Sequence, residues 1–359
     1  MPALPPPPAG PARLALRLRQ AAMRALDAPL PADAAVWLAS TGWMRLHLLA
    51  ALCELGVFDA LDDGAATAED LARRLGLDPA HLHRALRALA LDGFVRPARG
   101  RRFRLTRKGR ALRTGEMDGW VRYLTTEATQ RAWSAMAEAI RTGQPAFNLV
   151  HGRDTWAHFA AHPEEEQLFA RTMRRLTQID LPGIVAAYPW PETGTVCDVA
   201  GGSGTVLAGV LRARPALRGV LVEAPGVLDA AREHLAAQGV GDRVALREGS
   251  IFEGIDARAD VYVLKDILHD WDDARCARII EVVAAAMAPG ARLVLVEGLQ
   301  EPDRPEPLTS WVDVHMLAVC DGGRQRSLGE LQALLRGAGL QPGVVHRTAA
   351  AALVEGVRR

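Results

Sequence analysis

The sequence predicts a three-layer α/β domain built on a mainly parallel, doubly wound sheet, preceded by a mainly helical domain with a winged-helix pattern. From about residue 190 onward, short β-branched or aliphatic runs alternate with helix-length segments. Those runs lack strict apolar–polar alternation, as befits strands covered on both faces. Before residue 115 the spacing of leucines is helical, and one hairpin-like stretch interrupts it. A chain of 359 residues, 49% hydrophobic, is long enough for two domains with substantial cores.

Taken in order, residues 1–11 include an unbroken proline run from Pro5 to Pro8 and predict a disordered or extended leader. Residues 12–28 predict an amphipathic helix that Pro29 and Pro31 end. The Leu- and Ala-rich stretch 34–58 is too long for a strand and predicts a helix buried on several faces, packed against a second subunit or within an ordinary core. Thr67, with Asp70 three residues on, is the expected N-cap of a helix to Leu75, and Asp78-Pro79 opens another that Gly93 ends. Phe94 to Leu105 folds back at Ala98-Arg99-Gly100-Arg101 as the wing. The second helix and wing carry Arg84, Arg87, Arg96, Arg99, Arg101, Arg102, Arg104, Arg107, Lys108 and Arg110, so DNA binding and dimerisation both remain open for 12–115. Residues 116–185 predict a helical linker and pocket region, with helices over 120–142, over 154–161, and from His162-Pro163 to about Leu181, where Pro182-Gly183 breaks the pattern. The α/β domain then occupies 186–359. Its strands are expected at 195–199, 220–223, 244–248, 261–264 and 293–297, and its helices at 206–211, 227–238, 274–287 and 328–336.

Composition narrows the function. With 43 Lys+Arg against 42 Asp+Glu, the formal net charge of +1 is small for a polyanion binder, although a local patch can hide in a neutral total. Cys53, Cys197, Cys276 and Cys320 form no CxxC pair, which argues against a zinc cluster or disulfide scaffold and for free thiols in a reducing compartment. No uncharged apolar run reaches the ~20 residues that cross a bilayer, and the first residues lack the basic start and apolar middle of a signal peptide. A cytoplasmic protein without a resident metal is the expectation.

Three motifs carry chemistry. Asp198-Val-Ala-Gly201-Gly202-Ser-Gly204 ends the first strand, and its glycines permit a tight turn and a close ligand at the start of a helix. It is neither a full GxGxxG fingerprint nor a phosphate loop. Glu223 ends the second strand, 25 residues after Asp198, where a carboxylate can reach ribose hydroxyls. A dinucleotide enzyme would show the same pair. The stretch from Asp260 to Trp271 delivers Lys265, His269 and Trp271 to the carboxyl end of the fourth strand, and Glu297 ends the next. His269 suits a general base oriented by Glu297, or a helix cap with Glu297 at the sheet edge.

Together, DVAGGSG (198–204), GVLVEAPGV (219–227), YVLKDILHDWDD (262–273), VLVEG (294–298) and DVHMLAVCDGGRQRSLGE (313–330) resemble the SAM-dependent class I O-methyltransferases of the plant caffeate/flavonoid type and their bacterial relatives that tailor aromatic natural products. The resemblance runs from about residue 34 to the C-terminus. It implies a Rossmann-like SAM-binding domain behind a winged-helix dimerisation domain, a homodimer, and no nucleic-acid or membrane partner. S-adenosyl-L-methionine (SAM) is expected at Asp198, Gly201, Gly202, Gly204, Glu223, Ser250, Ile251, Lys265 and Trp271. His269 is implied as the base that deprotonates an aromatic hydroxyl, with Glu297 and Gln325 beside it. Three departures stand out. Glu223 and Ser250 replace the family's usual Asp at each position, and Gln325 replaces a second Glu and supplies no charge. An aromatic acceptor needs apolar walls, for which Phe147, Trp156, Phe159, Phe169, Met173, Trp311, His315 and Met316 are the candidates. The rival readings are a family member with altered chemistry, a decarboxylase or hydroxylase, and a winged-helix DNA regulator with a sensor domain.

Overall fold

The computed structural model describes residues 9–359. Chain contacts divide it into two units. The N-terminal unit is Ala25–Arg131 with Phe159–Arg175, and the C-terminal unit is Ala132–His158 and Leu176–Arg359 with the described residues up to Arg24. The stretch 116–185, expected as one linker, is thus shared between the two.

The first helix, α1 (Ala9–Asp27), starts three residues before the expected position and takes Pro11 into its first turn, where a missing N–H costs no helical bond. The rest of the expected leader lies outside the described residues. In the N-terminal unit α2 (Ala32–Glu54) stops at Leu55, because Gly56 at φ +69° turns the chain into the short α3 (Val57–Ala60). The expectation that α2 is buried on several faces holds only at its C-terminal end, at Leu49, Ala50, Leu52 and Cys53. Val36, Trp37, Trp43 and Met44 are 58–71% exposed. By length and composition α2 also passes as a membrane span. Arg45, 2.6 Å from Asp92, and His47, 3.1 Å from Gln130, tie it to its own unit.

The winged helix follows the reading of the sequence. Strand β1 (Ala66–Thr67) leads into α4 (Ala68–Leu75), capped by the Thr67 hydroxyl on Asp70 N–H at 3.0 Å. Helix α5 (Pro79–Leu91) is capped by Asp78 on His81 N–H at 2.7 Å. Strands β2 (Val95–Ala98) and β3 (Arg102–Leu105) form the wing, and β1 adds to β3. Phe58, Leu71, Leu86, Leu89 and Phe103 fill the core beneath.

After α6 (Arg107–Arg110), the single helix expected over 120–142 is three: α7 (Asp118–Leu124), α8 (Glu127–Ser134) and α9 (Met136–Thr142). Thr125 and Thr126 make the first break. The Thr125 hydroxyl bonds back to Val121 O, and the Thr126 hydroxyl caps Thr129 N–H, the local competition that takes Ser and Thr out of helix interiors. Helices α10 (Ala146–His151), α11 (Thr155–Ala161) and α12 (Pro163–Ala187) follow. Helix α12 does not end before Pro182, as expected, but carries it inside.

The C-terminal unit is built on a seven-stranded sheet: β4 (Gly194–Val199), β5 (Leu217–Glu223), β6 (Val244–Glu248), β7 (Val261–Lys265), β8 (Arg292–Glu297), β9 (Leu340–Arg347) and β10 (Ala352–Arg358), in the order β6-β5-β4-β7-β8-β10-β9. Strands β4 to β8 are parallel, while β10 and β9 are antiparallel. Helices α13 (Thr205–Ala213), α14 (Leu228–Ala237), α15 (Asp273–Ala286), α16 (Thr309–Val319) and α17 (Leu328–Gly337) connect them. Along β4, β7 and β8, Cys197, Tyr262, Leu264, Leu293 and Leu295 enter one core, and Val196, Val261, Val263, Val294 and Val296 enter another. Both faces are therefore covered, as the unalternating strands require. All four cysteines are buried and unpaired, Cys53 in the N-terminal unit and the other three in the C-terminal unit.

Candidate active site

The parallel strands bring the predicted residues to one edge, with Asp198 at the end of β4, Glu223 at the end of β5, Lys265 at the end of β7 and Glu297 at the end of β8. Beyond β4 the chain turns through Ala200 (φ +53°), Gly202 (φ +58°) and Gly204 (φ +73°), and α13 starts at Thr205. Asp198 is 1% exposed and accepts the N–H of Leu207 at 3.3 Å, so it holds the turn against the helix that follows. Burial pushes its carboxyl up to about 7, with Glu223 adding to the rise against Leu207 N–H and Lys265. A Cβ on Gly201 would lie 2.4 Å from the Asp198 carboxyl carbon, whereas one on Gly202 would meet nothing within 4 Å. The first glycine is required by packing, and the second leaves backbone open to a ligand. Glu223 spans the turn, its Oε2 accepting Gly202 N–H and its Oε1 accepting Ala224 N–H, both at 2.8 Å.

Ser250 and Ile251 follow β6 in a tight turn closed by a Ser250–Gly254 bridge. The Ser250 hydroxyl already accepts Phe252 N–H at 3.2 Å, and Ile251 packs half-buried on the sheet core. Trp271 meets the Phe252 ring edge-on at 4.9 Å and stacks with Trp156 at 6.0 Å.

His269 sits on a single 3-10 turn, Leu268–Asp270, beyond β7. Glu297, 2% exposed, organises that turn. Its Oε1 accepts the N–H groups of Ile267 (3.1 Å) and Leu268 (2.8 Å), and its Oε2 lies 2.9 Å from His269 Nδ1. His269 Nε2 lies 3.5 Å from Asp270 Oδ1. Burial works to lower the His269 pKa, but the charges of Glu297 and Asp270 and the Glu297 hydrogen bond push it up to about 10. Burial lifts Asp270 to about 6 against the His269 charge. The helix-cap alternative fails, because it is Asp272 that caps α15, accepting Arg275 N–H at 2.7 Å.

Lys265 is buried and ion-paired with Asp266, which adopts φ +53°. Burial works to lower the Lys265 pKa, but Asp266, Asp180 and Glu297 hold it above its ordinary value. Gln325 is buried, with its N–H on Asp313 Oδ1 at 2.7 Å and its amide oxygen unbonded. The second carboxylate beside the His269 imidazole is Asp270, its own sequence neighbour in the HDW segment. Sequence reasoning missed it, along with Asp180 and Trp133.

The expected apolar wall is divided. Phe159, Phe169 and Met173 belong to the N-terminal unit, with the two phenylalanine rings 4.9 Å apart. In the C-terminal unit Phe147 is core, packed on the His151 and His158 rings. Trp311 is 72% exposed, so it lines no wall of the single chain. Met316 and His315 are buried on α16. His315 Nδ1 accepts the Trp133 indole N–H at 3.2 Å, so its ring proton resides on Nε2. Burial, and then the His269 charge, pull its pKa down to about 4.

Ligand atoms of Asp266, His269 and Glu297 lie within 4.8 Å of one another, a separation that would suit a metal ion. Lys265 already pairs with Asp266, and His269 with Glu297. The group is satisfied as an ion-pair network.

A glycine turn with open backbone, bridged by the Glu223 carboxylate and set beside an imidazole held on a buried carboxylate at the ends of parallel strands, is the arrangement of the Rossmann-like, cofactor-dependent methyltransferase class. Residues 133–341 match the O-methyltransferase domain, and residues 37–115 match the O-methyltransferase dimerisation domain. The chain is 37% identical over 309 residues to an O-demethylpuromycin-O-methyltransferase of Streptomyces alboniger, covering 84% of this chain and 81% of that one. It superimposes on the solved mitomycin 7-O-methyltransferase MmcR with a TM-score of 0.83 at 32% identity (94% and 100% covered). For CalO1, a methyltransferase in calicheamicin biosynthesis solved in its SAH-bound form, the TM-score is 0.80 at 31% identity (91% and 98% covered). The chain belongs to the SAM-dependent O-methyltransferase family and carries its dimerisation domain. SAM fits the residues present. Gly202 leaves its backbone open, and each Glu223 oxygen, having taken one N–H, keeps a lone pair for a ribose hydroxyl.

Proposed function

We propose that the chain methylates a hydroxyl of an aromatic small molecule of the natural-product kind, with His269 as the general base. The observation that carries this reading is the 2.9 Å contact of His269 Nδ1 with buried Glu297, beside the glycine turn. SAM, when bound, supplies an electrophilic methyl on a positive sulfonium. Glu223, with the backbone at Gly202, is the group to hold its ribose, and Lys265 flanks it. His269 turns Nδ1 to Glu297, so Nε2, 3.5 Å from Asp270 Oδ1, is the nitrogen left to take the proton of the acceptor hydroxyl. Against burial, the charges of Glu297 and Asp270 push the His269 pKa up to about 10, so the imidazole takes the acceptor's proton only once it is itself neutral, and turnover rises with pH toward that value. The names of two relatives, a 3-amino-4-hydroxybenzoate 4-O-methyltransferase of Streptomyces cremeus and a 2,7-dihydroxy-5-methyl-1-naphthoate 7-O-methyltransferase of Streptomyces carzinostaticus, support an aromatic acceptor of this kind.

In the same reading the chain works in the cytoplasm as a homodimer, on a small molecule and not on nucleic acid or a membrane. The net charge of +1 and the four unpaired cysteines support it, as do the bonds that tie apolar α2 to its own unit. The test is mass spectrometry of a panel of phenols and N-hydroxy aromatics incubated with the protein and SAM. A gain of one methyl on oxygen is expected. Loss of carbon dioxide or gain of a hydroxyl would replace the reading with one of the altered chemistries.

A further inference from the structure

The turn that carries His269 is held from two sides, and only one of them is explained by the base itself. Glu297 takes the N–H groups of Ile267 and Leu268. The carbonyls of the same turn go elsewhere. Arg326 is 2% exposed, and its guanidinium donates from Nη1 to Leu268 O at 2.6 Å and from Nη2 to Trp271 O at 2.8 Å. Its Nε and Nη2 both donate to Asp273 Oδ1, at 3.0 and 2.7 Å. Asp273 opens α15 and its carboxyl is held below its ordinary pKa: burial works to raise it, and the Arg326 and Arg324 hydrogen bonds more than compensate. The two carbonyls flank His269–Asp270 on either side.

From this geometry we infer that Arg326 is a positioning residue for catalysis, clamping the backbone around His269 so that the imidazole meets Glu297 and the acceptor in one orientation. A buried cation is costly unless fully hydrogen-bonded, and here its donors go to the two carbonyls that bracket the base and to the residue that starts the next helix. Guanidinium geometry is needed for this. A planar fork spans two carbonyls and a carboxylate at once, and a lysine ammonium, as a point charge, does not. The loop bearing Arg326 is locked from its other end as well. Ser327 caps α17 in a capping box with Glu330, and Gln300 N–H donates to Arg326 O at 3.0 Å. The clamp thus joins the end of β8, the base turn and the start of α17.

This inference rests on His269 being the base, and its test separates the two. Arg326→Lys and Asp273→Asn are compared with wild type and with His269→Ala. Arg326→Lys is expected to lower kcat by roughly 10–10²-fold, the scale of a ~1 Å misplacement, with the KM for SAM changed less than about twofold. The acid limb of its kcat/KM profile should move toward lower pH, because His269 loosened from Glu297 loses part of what raises its pKa. Asp273→Asn removes a partner that is 62% exposed at its side chain, so the fold should survive, and it should shift kcat and the limb in the same direction by less. A folded Arg326→Lys protein with wild-type kcat and an unmoved limb overturns the inference, and so does a loss of kcat that tracks melting temperature alone. Should Arg326→Lys not fold, an Asp273→Asn protein with unmoved kcat and limb overturns it equally. Full activity in His269→Ala would instead remove the reading on which the clamp depends.

Discussion

The glycine turn after β4 and the base turn after β7 leave adjacent parallel strands, paired through Asp198 and Val263, yet they are built by opposite means. At the glycine turn the functional surface is backbone. Gly202 stands open, Glu223 is pinned by two N–H groups, and Asp198 works inward on Leu207. At the base turn it is paired charged side chains: Lys265 on Asp266, and His269 between Glu297 and Asp270. Adjacent strand ends thus differ in kind, one offering open backbone and the other a network of charged side chains. The consequence is that the two should fail differently when altered.

The largest effect is expected at the base turn. His269→Ala should lower kcat/KM for a neutral phenol by about 10²–10⁴-fold, roughly 3–5 kcal/mol of barrier, while SAM affinity measured by calorimetry stays near wild type. The deficit should shrink for acidic acceptors that arrive ionised. An equal deficit for every acceptor would assign His269 to shape and erase the contrast between the turns.

Glu223→Ala should do the converse. Losing charge-assisted hydrogen bonds should cost about 1.5–3 kcal/mol of SAM binding and leave the pH dependence of turnover in place. A dissociation constant unchanged by calorimetric titration would take Glu223 out of the cofactor site.

Titration sharpens the contrast with a smaller effect. His269 in the folded protein sits at about 10, above its ordinary value of ~6.5. Its charged form therefore stabilises the fold fully below pH ~6.5, and that contribution is lost as pH rises through about 10. Melting temperature should fall across this window more steeply in wild type than in His269→Gln, while kcat/KM climbs as the imidazole becomes neutral. Parallel melting curves would show that the base-turn charge does not support the fold.

What the sequence revealed follows the same division. The glycines and Glu223 were legible because a turn at a strand end needs residue types that few other contexts need, and His269 because a strand delivers it. Asp270 stood beside His269 in the motif but was not given a role, since only the folded turn shows its carboxylate at Nε2. Trp133 and Arg326 were illegible for a different reason: their partners, His315 and Leu268, lie 182 and 58 residues away. Pro182 misled, since it reads as a break but rides inside α12, and β9, which had no counterpart among the expected strands, carries Pro342 because that strand is the sheet edge. The apolar stretch 34–58 reads as a helix buried on several faces, against a second subunit or in a core, because composition does not distinguish a buried face from one left exposed on the single chain, as at Trp37 and Trp43.

The four buried cysteines give the molecule a property unrelated to methylation. Burial pushes the thiols of Cys53 and Cys276 up to about 12 and raises those of Cys197 and Cys320 as well. Since only the thiolate reacts, an alkylating reagent meets an inert folded protein, and each modification marks an opening of the chain around one sulfur. Cys53 reports on the N-terminal unit and the other three on the C-terminal unit. The chain thus carries its own set of clocks for local unfolding, with no engineered label needed to tell which half opens first.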